Sequence, residues 1–306
     1  MNGPARATAS VPATSANLGP GFDAFALALD LSDVFEAELA DEWTVEVAGE
    51  GESELARDER NLVVVAAKRV FDAVGFRGAA HVRCQNRIPV GKGLGSSAAA
   101  IVGGLLLADG LVGAGLSARE ILQLASGIEG HADNAAAALH GGFVIAHREA
   151  DGFVAEHFEP AIGLAVIAAL SERELPTAEA RRALPATVPH ADAAANAARA
   201  ALFALGVATG RRELVRAGAE DFLHERYRAA LVPDAGATRA ALLAAGADAA
   251  VLSGAGPTVL GIFTGSDDAD ALERARSAAG SLKLPPGRRA LVMSGDRHGA
   301  SVHAAR

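Results

Sequence analysis

The sequence predicts an α+β fold in two domains, and three observations point to it. The chain has 306 residues, enough for two medium-sized cores. Half of those residues are hydrophobic and 21% are charged, the balance of a globular protein. Strand-like and helix-like segments mix in both halves, without the regular alternation of a doubly wound sheet. A boundary placed near residues 150–160 gives an N-terminal domain, 1–155, and a C-terminal domain, 156–306.

The elements follow in order. Val11–Gly21 is strand-like, then rich in glycine and proline. Phe22–Leu39 carries alternating apolar residues and reads as extended chain. Trp43, Val45 and Val47 alternate with polar residues, as in a half-buried strand. Apolar residues at helical spacing predict a helix over Asn61–Val74, and His81–Ile88 reads as a strand ended by Pro89. An apolar helix is expected from Ser96 to Leu111. A second spans Ala118–Gly127, with Ser117 and Glu120 placed for a capping box. Gly141 and Gly142 break the pattern before a strand beginning at Phe143. In the C-terminal half, Ile162–Ala169 reads as a buried strand, and helices are expected at 191–205 and 235–245. Strands at 248–252 and 258–263 flank the turn SGAGP; a helix near 267–279 and a strand near 289–293 follow.

Composition removes several function classes. No run is long and apolar enough to cross a bilayer. The N-terminus lacks the basic-then-apolar pattern of a secretory signal, so a cytoplasmic protein is expected. Cys84 is the only cysteine, so no internal disulfide or cysteine-based metal site can form. Its strand-like surroundings mark it as a core residue. A net charge of -9 without a basic tract argues against nucleic acid as a partner.

Four segments carry candidate chemistry. The first is PVGKGLGSSAAA, residues 89–100, between a strand and an apolar helix. Gly91, Gly93 and Gly95 let backbone N–H groups approach an anion, and the helix N-terminus faces that anion. Ser96 and Ser97 add hydroxyls that can cap, bind phosphate or reach a metal. The loop lacks the GK[ST] ending of a Walker A motif and the third glycine of a dinucleotide fingerprint. The second is EGHADN, Glu129–Asn134. Glu129 is a candidate magnesium ligand, and an Asp beside a substrate hydroxyl could orient it or take its proton. The third is PATSANLGPGFD, residues 12–23, in which Asn17 and Asp23 stand among small residues. The fourth is SGAGPT, residues 253–258. Each of the last three also reads as an ordinary turn or cap when taken alone.

In this order and separation the four segments resemble the GHMP kinase superfamily, and within it the bacterial homoserine kinases. GLGSS points to the superfamily; PATSANLGPGFD together with EGHxDN points to the narrower group. The resemblance runs from about Val11 to Ala300. It implies an N-terminal domain resembling ribosomal protein S5, a ferredoxin-like C-terminal domain, and an active site between them. The implied reaction transfers phosphate from ATP to L-homoserine with magnesium, on the route to threonine. Carried over by residue, the phosphate loop comprises Pro89, Val90, Gly91, Lys92, Gly93, Leu94, Gly95, Ser96, Ser97, Ala98 and Ala99. Ser97 and Glu129 match the magnesium ligands, and Asn61 matches a position that contacts adenine. Asn17, Asp23, His131 and Asn134 match positions lining the homoserine site. Arg181 and Arg228 match its arginines, whose planar forks suit a carboxylate; Asp23 suits the ammonium. The resemblance favours positioning of the hydroxyl by Asn134 over proton removal by Asp133.

The sequence departs from the pattern at Ala26, at Gly91-Lys92, at Ala132 and at Ala137. Lys92 adds a charge beside the phosphates or points to solvent. Another kinase of the superfamily, acting on a mevalonate-like alcohol, and a non-catalytic metabolite sensor are the alternatives. Oligomeric state is open, a homodimer included.

Overall fold

A computed structural model describes residues 6–305. The first layer begins with the antiparallel strands β1 (Arg6–Asn17) and β2 (Gly21–Ala40), followed by β3 (Thr44–Gly49). Helix α1 (Leu62–Ala73), strand β4 (Ala79–Asn86) and helices α2 (Ser96–Val112), α3 (Ala118–Glu129) and α4 (Asp133–His140) come next. The hairpin of β5 (Phe143–Glu149) and β6 (Gly152–Phe158) completes this half.

The second half runs through β7 (Gly163–Ser171), α5 (Thr177–Arg182), α6 (His190–Thr209), α7 (Arg212–Gly218), α8 (Glu225–Arg228) and α9 (Ala235–Ala244). It continues as β8 (Ala249–Leu252), β9 (Val259–Gly265), α10 (Asp268–Ser281), β10 (Arg288–Ser294) and β11 (Ser301–Ala305).

Two sheets result. The larger has the order β11-β1-β2-β4-β3, with β5 and β6 joined to the other end of β2. Only β3 and β4 pair in parallel, so the crossovers of a doubly wound sheet are absent among the described residues. Strand β2 is long enough to serve two partners on one edge: Phe25–Leu27 pair with β5 and Val34–Ala40 with β4. The smaller sheet is antiparallel in the order β10-β7-β9-β8. Ala271, Ala275 and Ala278 of α10 and Leu242 of α9 pack on it. In the first layer, α2 buries nearly every side chain from Ala98 to Val112, as expected of a helix apolar all round.

The expected boundary at 155/156 falls inside β6, which its pairing with β5 keeps in the first sheet. The chain also returns: β11 pairs with β1, so residues 301–305 belong to the first sheet too. Both β6 and β11 bury no residue fully, so neither shows the apolar alternation that reveals a strand in sequence. Cys84 is buried in β4, and burial pushes its thiol up to about 12. No helix of the described residues is long and apolar enough to cross a membrane.

Candidate active site

The site forms where the first sheet meets the second half of the chain. The end of β1 touches the turn after β8: Gly254 N donates to Ala16 O at 3.0 Å, and Asn17 Nδ2 donates to Gly254 O at 2.6 Å. The hydroxyls of Ser15 and Ser253 lie 2.8 Å apart, and Ser253 Oγ donates to Gly93 O at 2.6 Å. SGAGPT is thus both a hairpin turn and a strut that holds the glycine loop.

At two of its glycines the loop has no room for a side chain. Gly93 has φ 78°, and a Cβ there would stand 2.4 Å from Ser253 O. Gly95 has φ 73°, and a Cβ there would stand 2.0 Å from Thr14 Oγ1. Leu94 is fully buried between them and accepts from Thr14 N through its carbonyl at 3.0 Å, which anchors the loop to β1. The helix α2 then begins at Ser96 with no side-chain cap, so its first N–H groups stay available to an anion.

A cavity of about 490 Å³ opens above this loop. Its lining includes Asn17, Asp23, Asn61, Pro89, Val90, Gly91, Gly93, Gly95, Ser96, Ser97, Ala98, Glu129, His131, Asp133, Asn134, Arg181 and Arg228. Residues from six separate segments therefore share one space. Lys92, Leu94 and Ala99 do not line it. Leu94 and Ala99 are core residues. Lys92 neither lies beside the cavity nor points to solvent. Its Nζ donates to Glu172 O at 2.9 Å and to Arg173 O at 3.0 Å, tying the loop to the segment after β7.

At one end stand Leu55, Ala56, Leu62, Val63 and Val90, with Asn61 among them. Asn61 caps α1: its Oδ1 accepts from Val63 N at 3.1 Å and its Nδ2 donates to Ala56 O at 2.7 Å. One N–H and one lone pair remain for a ligand. Asp33, which the sequence did not single out, accepts from Arg87 N and Ile88 N just before the loop. Burial pushes its carboxyl up to about 6 despite those two bonds.

At the other end Asp23 and Arg181 form a bidentate ion pair, with N–O distances of 2.7 and 2.9 Å. Asp23 sits on a strained turn: Asn17, Leu18 and Asp23 all have positive φ without being glycine. Asn17 Oδ1 accepts from Asp23 N at 3.0 Å and fixes that turn. Arg228 is 2% exposed, yet lines the cavity. Burial, then the charge of Arg181, pulls its guanidinium below the usual arginine range.

Between the two ends lie Ser97, Glu129, His131, Asp133 and Asn134. Glu129 Oε2 is sealed from solvent and has no partner among the described residues. Burial pushes the Glu129 carboxyl up, against the opposing pull of His131 and Ser97. His131 Nδ1 lies 2.7 Å from Asp133 Oδ1. Burial pushes the His131 imidazole down, but the Asp133 hydrogen bond and charge outweigh it and leave it raised. Asp133 also accepts from Asn134 N at 2.8 Å. Asn134 Oδ1 accepts from Thr14 Oγ1 at 2.8 Å, which leaves its amide N–H groups free to donate. Among the described residues no three His, Cys, Asp or Glu converge on one point, so any metal here rests on few protein ligands.

Sequence reasoning missed Thr14, Ser15, Ser253, Phe22 and His224. The first four lie inside segments already singled out, where small hydroxyls and a lone aromatic ring gave no separate signal. Phe22 stacks on His224 with ring centroids 5.3 Å apart, and both arginines lie over its ring. His224 carried no motif at all.

Comparison with known proteins bears on the family and the fold. The family description "GHMP kinases N terminal domain" matches residues 61–142, and "GHMP kinases C terminal" matches 198–282. Homoserine kinase of Streptomyces avermitilis is 44% identical, covering 99% of this chain and 98% of that protein. Homoserine kinase of Desulfitobacterium hafniense is 38% identical, covering 95% and 98%. The crystal structure of homoserine kinase from Cytophaga hutchinsonii superposes with a TM-score of 0.83 at 26% identity, covering 98% of both chains. On fold and sequence together, the chain belongs to the homoserine kinases of the GHMP kinase family.

Proposed function

We propose that this protein transfers the γ-phosphate of ATP to the side-chain hydroxyl of L-homoserine, giving ADP and O-phospho-L-homoserine in threonine biosynthesis. The observation that carries this reading is the Asp23–Arg181 pair facing the same cavity as the glycine loop. Charges of both signs beside a phosphate cradle suit a zwitterionic acceptor. A sugar carries no charge to exchange with either partner, and mevalonate carries a carboxylate but no ammonium for Asp23.

The loop amides and the N-terminus of α2 offer donors and a positive dipole end to the ATP phosphates. The base fits the apolar end beside Asn61 and Val90. Ser97 and Glu129 suit magnesium, because Glu129 Oε2 is buried without a partner and its raised carboxyl gains from a nearby cation. Bound there, the ion supplies neutralisation of phosphate charge.

Homoserine enters by exchanging partners with the ion pair: its carboxylate takes Arg181 and Arg228, and its ammonium takes Asp23. Asn134 donates to the hydroxyl oxygen, holding a lone pair toward the γ-phosphorus. The new O–P bond forms as the bond to the ADP oxygen breaks, and the hydroxyl proton passes to an oxygen of the transferred phosphoryl group, which stays on the homoserine oxygen. Asp133 spends its Oδ1 on His131 and Asn134, the two residues it holds in place, which favours a positioning role.

The test is ADP release measured with homoserine, mevalonate, shikimate and galactose. Turnover on homoserine far above the rest is expected. Turnover on another alcohol with none on homoserine would sink the reading.

A further inference from the structure

We propose that His224 is a positioning residue for substrate binding, whose Nδ1 accepts from Arg228 and leaves one guanidinium nitrogen directed to the substrate carboxylate. This rests on the reading of Arg228 as a carboxylate ligand.

Hydrogen-bond bookkeeping around the ring has one solution. His224 is fully buried, with Nε2 2.9 Å from Gly19 O and Nδ1 3.0 Å from Arg228 NH1. A carbonyl oxygen only accepts, so Nε2 carries the proton. A guanidinium only donates, so Nδ1 must be bare. The Asp221 carboxylate, 3.6 Å from Nε2, favours the same tautomer. Burial pulls the imidazole below the usual histidine range, which keeps it neutral.

Arg228 is then held on three sides. Its Nε donates to Ala180 O at 3.3 Å, and NH1 donates to Gly254 O at 3.1 Å as well as to His224. The face of Phe22 lies 5.5 Å away. NH2 has no protein partner among the described residues, and Arg228 lines the cavity. The ring also couples the two halves of the substrate site. Gly19 precedes Asp23 on the strained turn, and Arg228 sits on α8, whose start Asp221 fixes by accepting from His224 N and Glu225 N. A buried arginine without the imidazole would keep its charge but lose its aim.

The experiment uses the full chain with His224→Leu, which removes both bonds, and His224→Asn, whose Oδ1 replaces Nδ1 as acceptor. Nitrogen-15 NMR of the wild-type imidazole should place the proton on Nε2. His224→Leu should raise the homoserine KM about tenfold or more, the usual scale for a lost bond to a charged group, with the ATP KM within about twofold. His224→Asn should recover most of that loss. If His224→Leu does not fold, His224→Phe, which keeps the stack on Phe22, is read in the same way. A proton on Nδ1, parallel rises in both KM values, or no recovery by Asn would overturn the proposal. Absence of homoserine turnover in the wild type overturns the functional reading itself. Normal wild-type turnover with an unchanged homoserine KM in the variant overturns only the role of His224.

Discussion

Two arginine–aspartate networks occur in this molecule, one before β8 and one in the cavity, and they differ in closure. Asp248 lies just before β8 with its carboxylate fully enclosed. One oxygen accepts twice from Arg216, at 2.6 and 3.0 Å. The other accepts from Thr264 N, Thr264 Oγ1 and Arg274, at 2.8, 2.7 and 2.9 Å. Against the burial that pushes it up, these bonds hold its carboxyl at about 2. Every lone pair is used, so the network binds α7 and α10 to the second sheet and can take nothing else. Asp23 and Arg181 pair with comparable geometry, yet their side chains are 36% and 37% exposed and face a cavity. Beside them stand an unpartnered carboxylate oxygen on Glu129 and a spare guanidinium nitrogen on Arg228. Closure marks an anchor; unspent hydrogen-bonding capacity marks a site.

Substitutions sharpen that contrast, beginning with the largest effect. Glu129→Gln should lower turnover by about a thousandfold, on the scale of lost metal stabilisation. It should not lower the melting temperature. The raised carboxyl means the folded protein binds this proton more tightly than the unfolded chain does. Glu129 therefore costs stability as pH rises out of the usual carboxylate range, and Gln removes that dependence. A large loss of melting temperature would show that Glu129 is an anchor after all.

Arg181→Met should lower kcat/KM for homoserine by about a hundredfold or more, since an incoming carboxylate loses its main partner. Its melting temperature should move by no more than about 3 °C, because a half-exposed pair stabilises little.

Asp248→Ala should show the opposite pattern. We expect a loss of about 2–3 kcal/mol, below the ~3–5 kcal/mol of a wholly buried pair because the arginines reach water. Thermal unfolding should fall by roughly 3–5 °C, with both KM values within about twofold. The sign with pH follows from the depressed carboxyl: its contribution is full above about pH 4 and is lost as pH falls through about 2. Asp248→Ala should flatten that part of the acid-unfolding curve. The smallest effect belongs to Lys92→Ala, which should raise the ATP KM about threefold or less, because Lys92 holds a peptide segment and not phosphate.

The sequence made the long elements legible. Helix α1 with Asn61 at its start, and α3 with its Ser117–Glu120 capping box, lie where apolar period and cap chemistry place them. Short or exposed elements were not legible: α8 has four residues, and β11 has no buried face. The same rule holds within the site. Glycines, paired serines and clustered polar residues announce chemistry on one stretch of chain. His224 does not, because its meaning lies in Gly19 and Arg228, which only the fold brings to its two nitrogens. Lys92 shows the converse, a charge whose place in the loop suggested phosphate and whose reach led to backbone carbonyls instead.

The most direct measurement compares ADP release on L-homoserine with release on two analogues, one lacking the carboxylate and one lacking the ammonium. The open Asp23–Arg181 pair predicts that each analogue loses about a hundredfold or more in kcat/KM. It also predicts that Arg181→Met narrows the gap only for the analogue without a carboxylate. Equal turnover of all three alcohols by the unmodified protein would contradict the account.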